Sequence, residues 1–183
     1  MGAARGVHGF TPTVHPDALE PPLRLNVPLD FIWQVFEVMR RCPHHQFQIL
    51  TKRSRRLRSL AEAGALLWPA NVWMGVSVED QRRAARADDL AVVPARVRFL
   101  SIEPLLGPIE QLPLEGIHWA IVGGESGPHA RPMHPRWVED ILEQCRARGV
   151  PFFFKQWGGR QKHRTGRELH GRTYDEMPRT AGI

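Results

Sequence analysis

The sequence predicts an α/β protein whose core is a partial TIM-like (βα) barrel or an open, curved parallel sheet of about five strands with flanking helices. Three observations support this class. Five apolar runs have the length of a strand, and each run ends in polar residues. Helical periodicity follows most of these runs. Successive runs lie about 20 to 30 residues apart, which is the length of a βα unit.

The first predicted elements are a helix, a strand and a second helix. The first helix begins at Pro28, because proline suits the first helical turn, and it ends before Pro43. A strand is predicted over 46–51. Ser54 is placed as the N-cap of the second helix, which ends at Gly64.

Strands and helices continue to alternate in the rest of the chain. The further strands are predicted over 71–78, 97–102, 117–122 and 151–154. An arginine-rich helix is predicted from about 80 to 92. A last helix runs from Pro135 to Arg148, and Gly149 is suited to its carboxyl end.

These elements divide the chain into three parts. Prolines and glycines interrupt any regular pattern over 1–26, which we interpret as an irregular arm. The partial βα barrel occupies 27–157. Residues 158–183 form a basic, glycine-rich tail in which Gly171 suits the turn of a small hairpin.

Composition limits the classes of partner. The formal net charge of +6 permits contact with nucleic acid through counterion release but does not require it. No apolar run reaches the roughly 18 residues that span a bilayer, so no membrane contact is expected. No secretory signal is apparent, and the two cysteines, Cys42 and Cys145, are expected to be reduced thiols of a cytoplasmic protein.

Polar residues follow each of the five runs and are predicted to converge, because parallel strands end at the same edge of a sheet. We call this edge the rim. Its candidates for acid–base catalysis are three carboxylates and a lysine: Glu79, Glu103, Glu125 and Lys155. Its candidates for cofactor contact are Lys52, Arg53, Ser77, Ser101, Gly123, Gly124, Ser126 and Gln156. The two glycines are expected to adopt positive φ and to let the backbone approach a ligand. Each residue alone has a structural explanation, whereas the clustering favours a binding site.

Other basic residues allow two interpretations. The arginines over 53–58 and 82–86 are interpreted as solvated helix faces. The basic tail beside Trp157 has the composition of a surface that holds a single-stranded backbone and stacks a base. Arg131 and His134, on the loop after the fourth strand, suit contact with a phosphate or carboxylate, and His134 equally suits a helix start.

Five segments resemble the motifs of a widespread bacterial and phage family of unknown function with a three-cysteine motif. These segments are residues 47–53, 71–80, 98–108, 119–127 and 151–158. The family's cysteines are similar to the cluster-binding set of radical S-adenosylmethionine enzymes, and its barrel is similar to theirs and, more distantly, to lyases that repair thymine photoproducts in DNA. The cysteine-bearing segment and one further strand of that family have no counterpart here. The resemblance therefore implies five strands of a larger barrel, without an iron–sulfur cluster.

Three functional hypotheses remain open from the sequence. The first is a cluster-less, radical-enzyme-like barrel that binds a nucleotide or nucleic-acid ligand at the rim. The second is a metal-dependent or acid–base enzyme that uses the rim carboxylates. The third is a structural subunit that contacts a protein partner or a second copy through an exposed sheet edge. No cofactor is expected from the cysteine content, with S-adenosylmethionine or a divalent metal as the alternatives.

Overall fold

The computed structural model describes residues 27–179, and the predicted arm over 1–26 lies outside the described residues. Its strands are β1 (Phe47–Thr51), β2 (Val72–Ser77), β3 (Val97–Ile102), β4 (Trp119–Gly123) and β5 (Phe152–Gln156). Its helices are α1 (Leu29–Arg41), α2 (Ser54–Glu62), α3 (Arg86–Ala91), α4 (Pro135–Arg148) and the single turn α5 (Lys162–Thr165). A short 3-10 turn, Gln81–Arg83, precedes α3.

The five strands pair in chain order, and every pair is parallel. This arrangement confirms the predicted class, an open parallel sheet of five strands flanked by helices. Because every pair is parallel, all five carboxyl ends lie at one edge of the sheet. The register places Ser77 beside Ser101 and Ile102 beside Val122.

One face of the sheet packs against α2, α3 and α4. Val76, Leu100 and Phe154 point from the strands into a cluster that includes Leu90 of α3 and Ile141 of α4. All five side chains are completely buried. Burial of this size is the main stabilising term for such a fold, at about 1.5–3 kcal/mol for each large apolar side chain.

The opposite face of the sheet carries an aromatic layer formed by Trp73, Phe99, Trp119 and Phe153. Trp119 meets Trp73 edge to face at 6.0 Å between ring centroids and meets Phe153 in the same way at 5.9 Å. The Phe99 ring lies over Gly75, which has no side chain to obstruct it. Since side chains alternate along a strand, the residues two and four positions further along each strand face the same side as this layer and lie nearer to the rim.

The two outer strands of the sheet differ in what lies beside them. At β5 the C-terminal segment adds a short antiparallel pairing, in which the Phe154 N–H donates to the Tyr174 carbonyl at 2.9 Å and Phe153 bridges to Asp175. Tyr174 and Leu169 are both buried. Within the described residues, no strand pairs with the outer edge of β1.

A tight reversal precedes this pairing. Leu169 and Arg172 exchange two backbone hydrogen bonds, and both intervening residues, His170 and Gly171, have positive φ. Positive φ at both central positions is the geometry of a type I′ hairpin turn.

The continuous helix predicted over about 80–92 is wrong. The chain forms the 3-10 turn and then the short α3. Ala84 and Ala87 are both buried, and the Ala87 N–H donates to the Ala84 carbonyl three residues earlier at 2.9 Å. The backbone therefore tightens to direct both alanines into the core instead of continuing one straight helix.

The prediction that Ser54 caps α2 is also wrong. Ser54 is the first residue of α2, it is buried, and its hydroxyl donates to Asp89 Oδ2 at 2.7 Å. Arg53 occupies the cap position and makes no side-chain capping bond. The serine thus links α2 to α3, since Asp89 belongs to α3.

Replacing Gly75 with alanine is expected to destabilise the protein by about 1–3 kcal/mol, as overpacking of a filled core does. An added Cβ would lie 2.4 Å from the Phe99 ring, which the aromatic layer holds in place. Urea unfolding followed by circular dichroism measures the change in free energy.

Gly107→Ala is the matched control, because its Cβ would meet nothing closer than the Asp80 Cβ at 4.0 Å. We expect that variant to change stability by no more than about 1 kcal/mol. Equal destabilisation of both variants would show that the contact between Phe99 and Gly75 is not what constrains position 75.

Candidate ligand-binding site at the carboxyl edge of the sheet

Glu103, just beyond β3, contacts the two polar residues that end β5. Lys155 Nζ lies 2.8 Å from Glu103 Oε2, and Gln156 Nε2 donates to Oε1 at 2.9 Å. Gly123 of β4 lies between them in the sheet, and a Cβ there would come within 3.4 Å of the Glu103 carboxyl group. The glycine therefore makes room for a carboxylate that reaches across a whole strand.

Gln156 extends this cluster to the loop after β4. Its Nε2 also lies 3.2 Å from Ser126 Oγ and 3.4 Å from the Gly124 carbonyl oxygen. Ser126 in turn bridges to Gly159 beyond β5. Four of the predicted rim residues are thus joined through one amide side chain.

Glu79, just beyond β2, forms a second cluster. Lys52 Nζ lies 2.9 Å from Glu79 Oε1, and Arg86 Nη1 lies 3.0 Å from Oε2. Arg86 also donates to the Ser77 carbonyl at 2.7 Å. Only 10% of the Glu79 side chain is exposed, so these two cations stabilise a carboxylate that has little contact with water. Arg86 is therefore part of the site, and the interpretation of this residue as part of a solvated helix face is wrong.

The backbone after β3 ties the two clusters together. The Leu106 N–H donates to the Glu79 carbonyl at 2.8 Å, and the Leu105 N–H donates to the Gly123 carbonyl at 3.0 Å. Ser77 and Ser101 are buried side by side between the clusters. Lys52, Glu79, Glu103 and Lys155 therefore lie along one edge as two lysine–glutamate pairs.

Glu125 pairs with Arg131, on the loop after β4, rather than with a lysine. The Arg131 side chain donates to both its carboxylate oxygens, at 2.7 and 2.8 Å, and the Arg131 backbone N–H donates at 2.8 Å. The Arg131 side-chain and backbone hydrogen bonds lower the pKa of Glu125 to about 2. Glu125 is thus held as an anion that shapes the loop after β4. His134 accepts from the Arg136 N–H at 3.2 Å and begins α4, as one of its two interpretations proposed.

The expectation that Gly123 and Gly124 adopt positive φ is wrong, since neither lies in the left-handed region. A Cβ on Gly124 would lie 2.0 Å from the Trp157 carbonyl oxygen. The Gly124 N–H donates to the backbone carbonyl of Gln156, and the Gly159 N–H donates to the backbone carbonyl of Glu125. Gly124 therefore allows two backbones to pack closely, rather than a backbone and a ligand.

Exposed arginines lie in the segments that leave the carboxyl ends of β1, β2, β4 and β5. We call them the rim arginines: Arg53, Arg55, Arg82, Arg131, Arg160 and Arg164. Arg53 directly follows β1, and its N–H donates to Thr51 Oγ1 at 3.0 Å. This edge thus combines inner lysine–glutamate pairs with outer cationic side chains.

The aromatic and basic tail is more firmly packed than its composition indicates. The Trp157 indole donates to the Glu168 carbonyl at 2.8 Å and packs edge to face on Phe154. Arg167 lies over the Phe153 ring at 5.0 Å, and Arg172 lies over the Tyr174 ring at 4.4 Å. These three side chains therefore contribute to the packing of the C-terminal segment.

The described residues offer no donor set for a metal ion, and the chain has too few cysteines for a three-cysteine cluster site. The chain has two cysteines, of which Cys42 follows α1 and Cys145 is completely buried in α4, so a three-cysteine set cannot form. Across the part of the chain that the structure describes, no group of three His, Cys, Asp or Glu residues could hold a metal. The function proposed below therefore involves neither an iron–sulfur cluster nor a metal ion.

The fold and the rim define an α/β protein with an open parallel sheet and a polar site at the strand carboxyl ends. The model of the DUF5131 family, a protein of unknown function, matches residues 18–178, so the chain belongs to this family. No curated protein and no solved structure matches the chain. Over residues 27–179, none of the helices is long and apolar enough to span a membrane.

The carboxyl group of Glu125 is expected to titrate near pH 2, well below the ordinary value of about 4.3. Because the pKa is lowered in the folded state, the pair with Arg131 stabilises the fold above about pH 4.3, and this contribution is lost as the pH falls towards 2. Carbon-detected NMR titration of the side chain measures this midpoint. Arg131→Gln should move it upward, whereas a wild-type midpoint above 4 would contradict the pairing.

The two thiols are expected to differ in reactivity. Burial raises the pKa of Cys145 to about 12, while Cys42 is half-buried near the surface. Iodoacetamide at pH 8 should therefore alkylate Cys42 in the native protein and Cys145 only after denaturation. Peptide mass spectrometry locates the label, and rapid native labelling of Cys145 would show that α4 does not bury it.

Proposed function

We propose that the protein binds a nucleotide unit, free or within single-stranded nucleic acid, at the rim. One observation carries this proposal: two lysine–glutamate pairs and two buried serines line the carboxyl ends of the strands, and exposed arginines surround them. Strand carboxyl ends are where parallel α/β folds bind their ligands.

The inner groups suit the polar part of a nucleoside. Lys52 and Lys155 are about half exposed, so their ammonium groups can leave part of their contact with Glu79 and Glu103 to donate to a carbonyl or hydroxyl oxygen of a base or sugar. The two glutamates and Gln156 offer acceptors and a donor for hydroxyl and amino groups. Paired charges of both signs also suit a ligand that carries both an ammonium and a carboxylate, as S-adenosylmethionine does.

The outer arginines suit a phosphate backbone. Arg82 and Arg160 are exposed, and neither contacts a carboxylate within residues 27–179. Guanidinium groups bind phosphate through paired hydrogen bonds, and the net charge of +6 favours such contacts. A strand that crosses the rim could thus place one nucleotide over the inner pairs.

We infer further that the chain is a radical-enzyme-like barrel without its cluster. The resemblance of the five segments supports it, and the strand order, with each strand paired to the next as in a βα barrel, agrees with it. The alternative of an acid–base enzyme would depend on Glu103 and Lys155, whose 2.8 Å contact allows a shared proton. Glu125, held ionised down to about pH 2, is poorly suited to carry a proton at neutral pH.

A fluorescent single-stranded oligonucleotide should bind with an affinity that falls steeply as salt is added. The double variant Arg82→Gln with Arg160→Gln should reduce the slope of log K against log salt by about 0.7 for each lost phosphate contact. Lys155→Ala should weaken binding about tenfold without this change in slope, because it removes an inner contact. Fluorescence anisotropy over a salt series measures all three, with unlabelled S-adenosylmethionine and ATP as competitors.

Arg148→Gln is the matched control, because Arg148 is exposed at the far end of α4, away from the rim. It should bind the oligonucleotide like the wild type. Affinity that does not depend on salt, or equal losses in the control and in the rim variants, would reject the rim as the binding site.

A further inference from the structure

A second concave surface lies at the opposite end of the sheet. An open cavity of about 1190 Å³ is bounded by the amino ends of β3, β4 and β5, the carboxyl end of α4 and the C-terminal segment over 176–179. We call it the amino-end groove. Its volume exceeds the upper range of small-molecule pockets, about 1,000 Å³, so its size suits a polypeptide segment.

Charged side chains in the groove are mostly cationic. They are Arg96, Arg146, Arg148 and Arg179 against Glu115 and Glu176. Glu176 is already neutralised, since it accepts from Arg146 Nη1 and from the Phe152 N–H at 3.1 and 3.0 Å. Burial opposes its ionisation, but these hydrogen bonds outweigh burial and hold the pKa of Glu176 below its ordinary value. The rest of the groove therefore presents three guanidinium groups and one carboxylate, a net positive surface.

The apolar part of the groove is aliphatic. Met177, which is 47% exposed, and the half-buried Pro151 and Pro178 form its accessible surface above the buried Val97, Ile117 and Val150, and none of the lining residues is Phe, Tyr or Trp. Stacking on an aromatic ring is the usual way in which a protein holds an unpaired base, and the one ring in this lining is the half-buried imidazole of His118, which accepts from the Arg98 N–H at 3.0 Å. Aliphatic walls instead suit Leu, Ile, Val or Met side chains, and methionine adapts to irregular partners.

We propose that the amino-end groove binds an acidic peptide segment of a partner protein, in which carboxylate side chains alternate with aliphatic ones. The carboxylates pair with the exposed guanidinium groups of Arg148 and Arg179. Each such pair can form two parallel N–H···O hydrogen bonds. The aliphatic side chains lie against Met177 and the half-buried Pro151 and Pro178, the more exposed apolar residues of the groove. This surface is separate from the rim, because it lies at the other end of the strands.

An array of short peptides tests the proposal with the full chain. Its members form three sets that share the same leucine, valine or methionine positions. The residues between these positions are glutamate in the first set, glutamine in the second and lysine in the third. The glutamate set should retain the protein, and the glutamine and lysine sets should not. The strongest glutamate peptide, measured in solution by anisotropy, should lose at least about tenfold in affinity with the double variant Arg148→Gln and Arg179→Gln.

Arg82→Gln, which alters only the rim, is the control and should bind this peptide like the wild type. NMR shifts caused by the peptide should map to residues 96–98, 114–118 and 148–151. Three results would overturn the proposal: equal retention of the glutamine set, unchanged affinity in the Arg148 and Arg179 variant, or displacement of the peptide by a tighter-binding oligonucleotide. The last result would assign the groove to nucleic acid.

Discussion

The rest of the structure depends on the parallel pairing of strands that follow one another in the chain. Parallel pairing gives all five strands the same direction, so residues that are 24 to 52 positions apart in the sequence lie together at the carboxyl ends. The Lys52–Glu79 and Glu103–Lys155 pairs are consequences of that pairing, since each joins side chains just beyond, or at the end of, different strands. If one of these strands were reversed, its polar residue would lie at the opposite edge, and the glutamate or lysine of the other strand would lose its partner.

One face of the sheet carries packed aromatic side chains near the strand starts and small or polar side chains near the rim. Trp73, Phe99 and Trp119 form the layer near the strand starts, and the next positions on that face are Gly75, Ser101 and Ile121. Beyond them, small or polar residues reach the rim, because a large side chain there would fill the space that Glu103 uses to reach β5. The face therefore changes from aromatic to polar over a few residues, and the pairing of β4 with β5 becomes irregular between Val122 and Gly123, where the rim begins.

The sequence predicts the strands and the rim well because both depend on local patterns. Apolar runs that end in polar residues are visible without any tertiary information, and parallel order then follows from their spacing. The failures concern groups whose surroundings are set by residues distant in the sequence, including the backbone at Gly124, which packs against Trp157. Ser54 bonds to Asp89 rather than capping its own helix, and Arg86 turns from a helix face into the Glu79 cluster. Asn71, whose amide donates to three carbonyls around the end of α1, gives no signal that could be recognised in a single sequence.

The two ends of the sheet present opposite chemistry for a physical reason. At the carboxyl end, lysines and glutamates from different strands form ion pairs, so a ligand must exchange one ionic partner for another, and this favours selectivity over strength. At the amino end, Arg146 neutralises Glu176, and the remaining lining residues include more guanidinium groups than carboxylates, so an anion meets a net positive surface. The C-terminal segment connects the two ends: it covers the β5 edge through Tyr174 and then supplies Glu176 and Met177 to the groove. Its docking on β5 is therefore a precondition for the shape of the amino-end groove, while the inner pairs of the rim are held by residues at the ends of the strands and by Arg86 of α3.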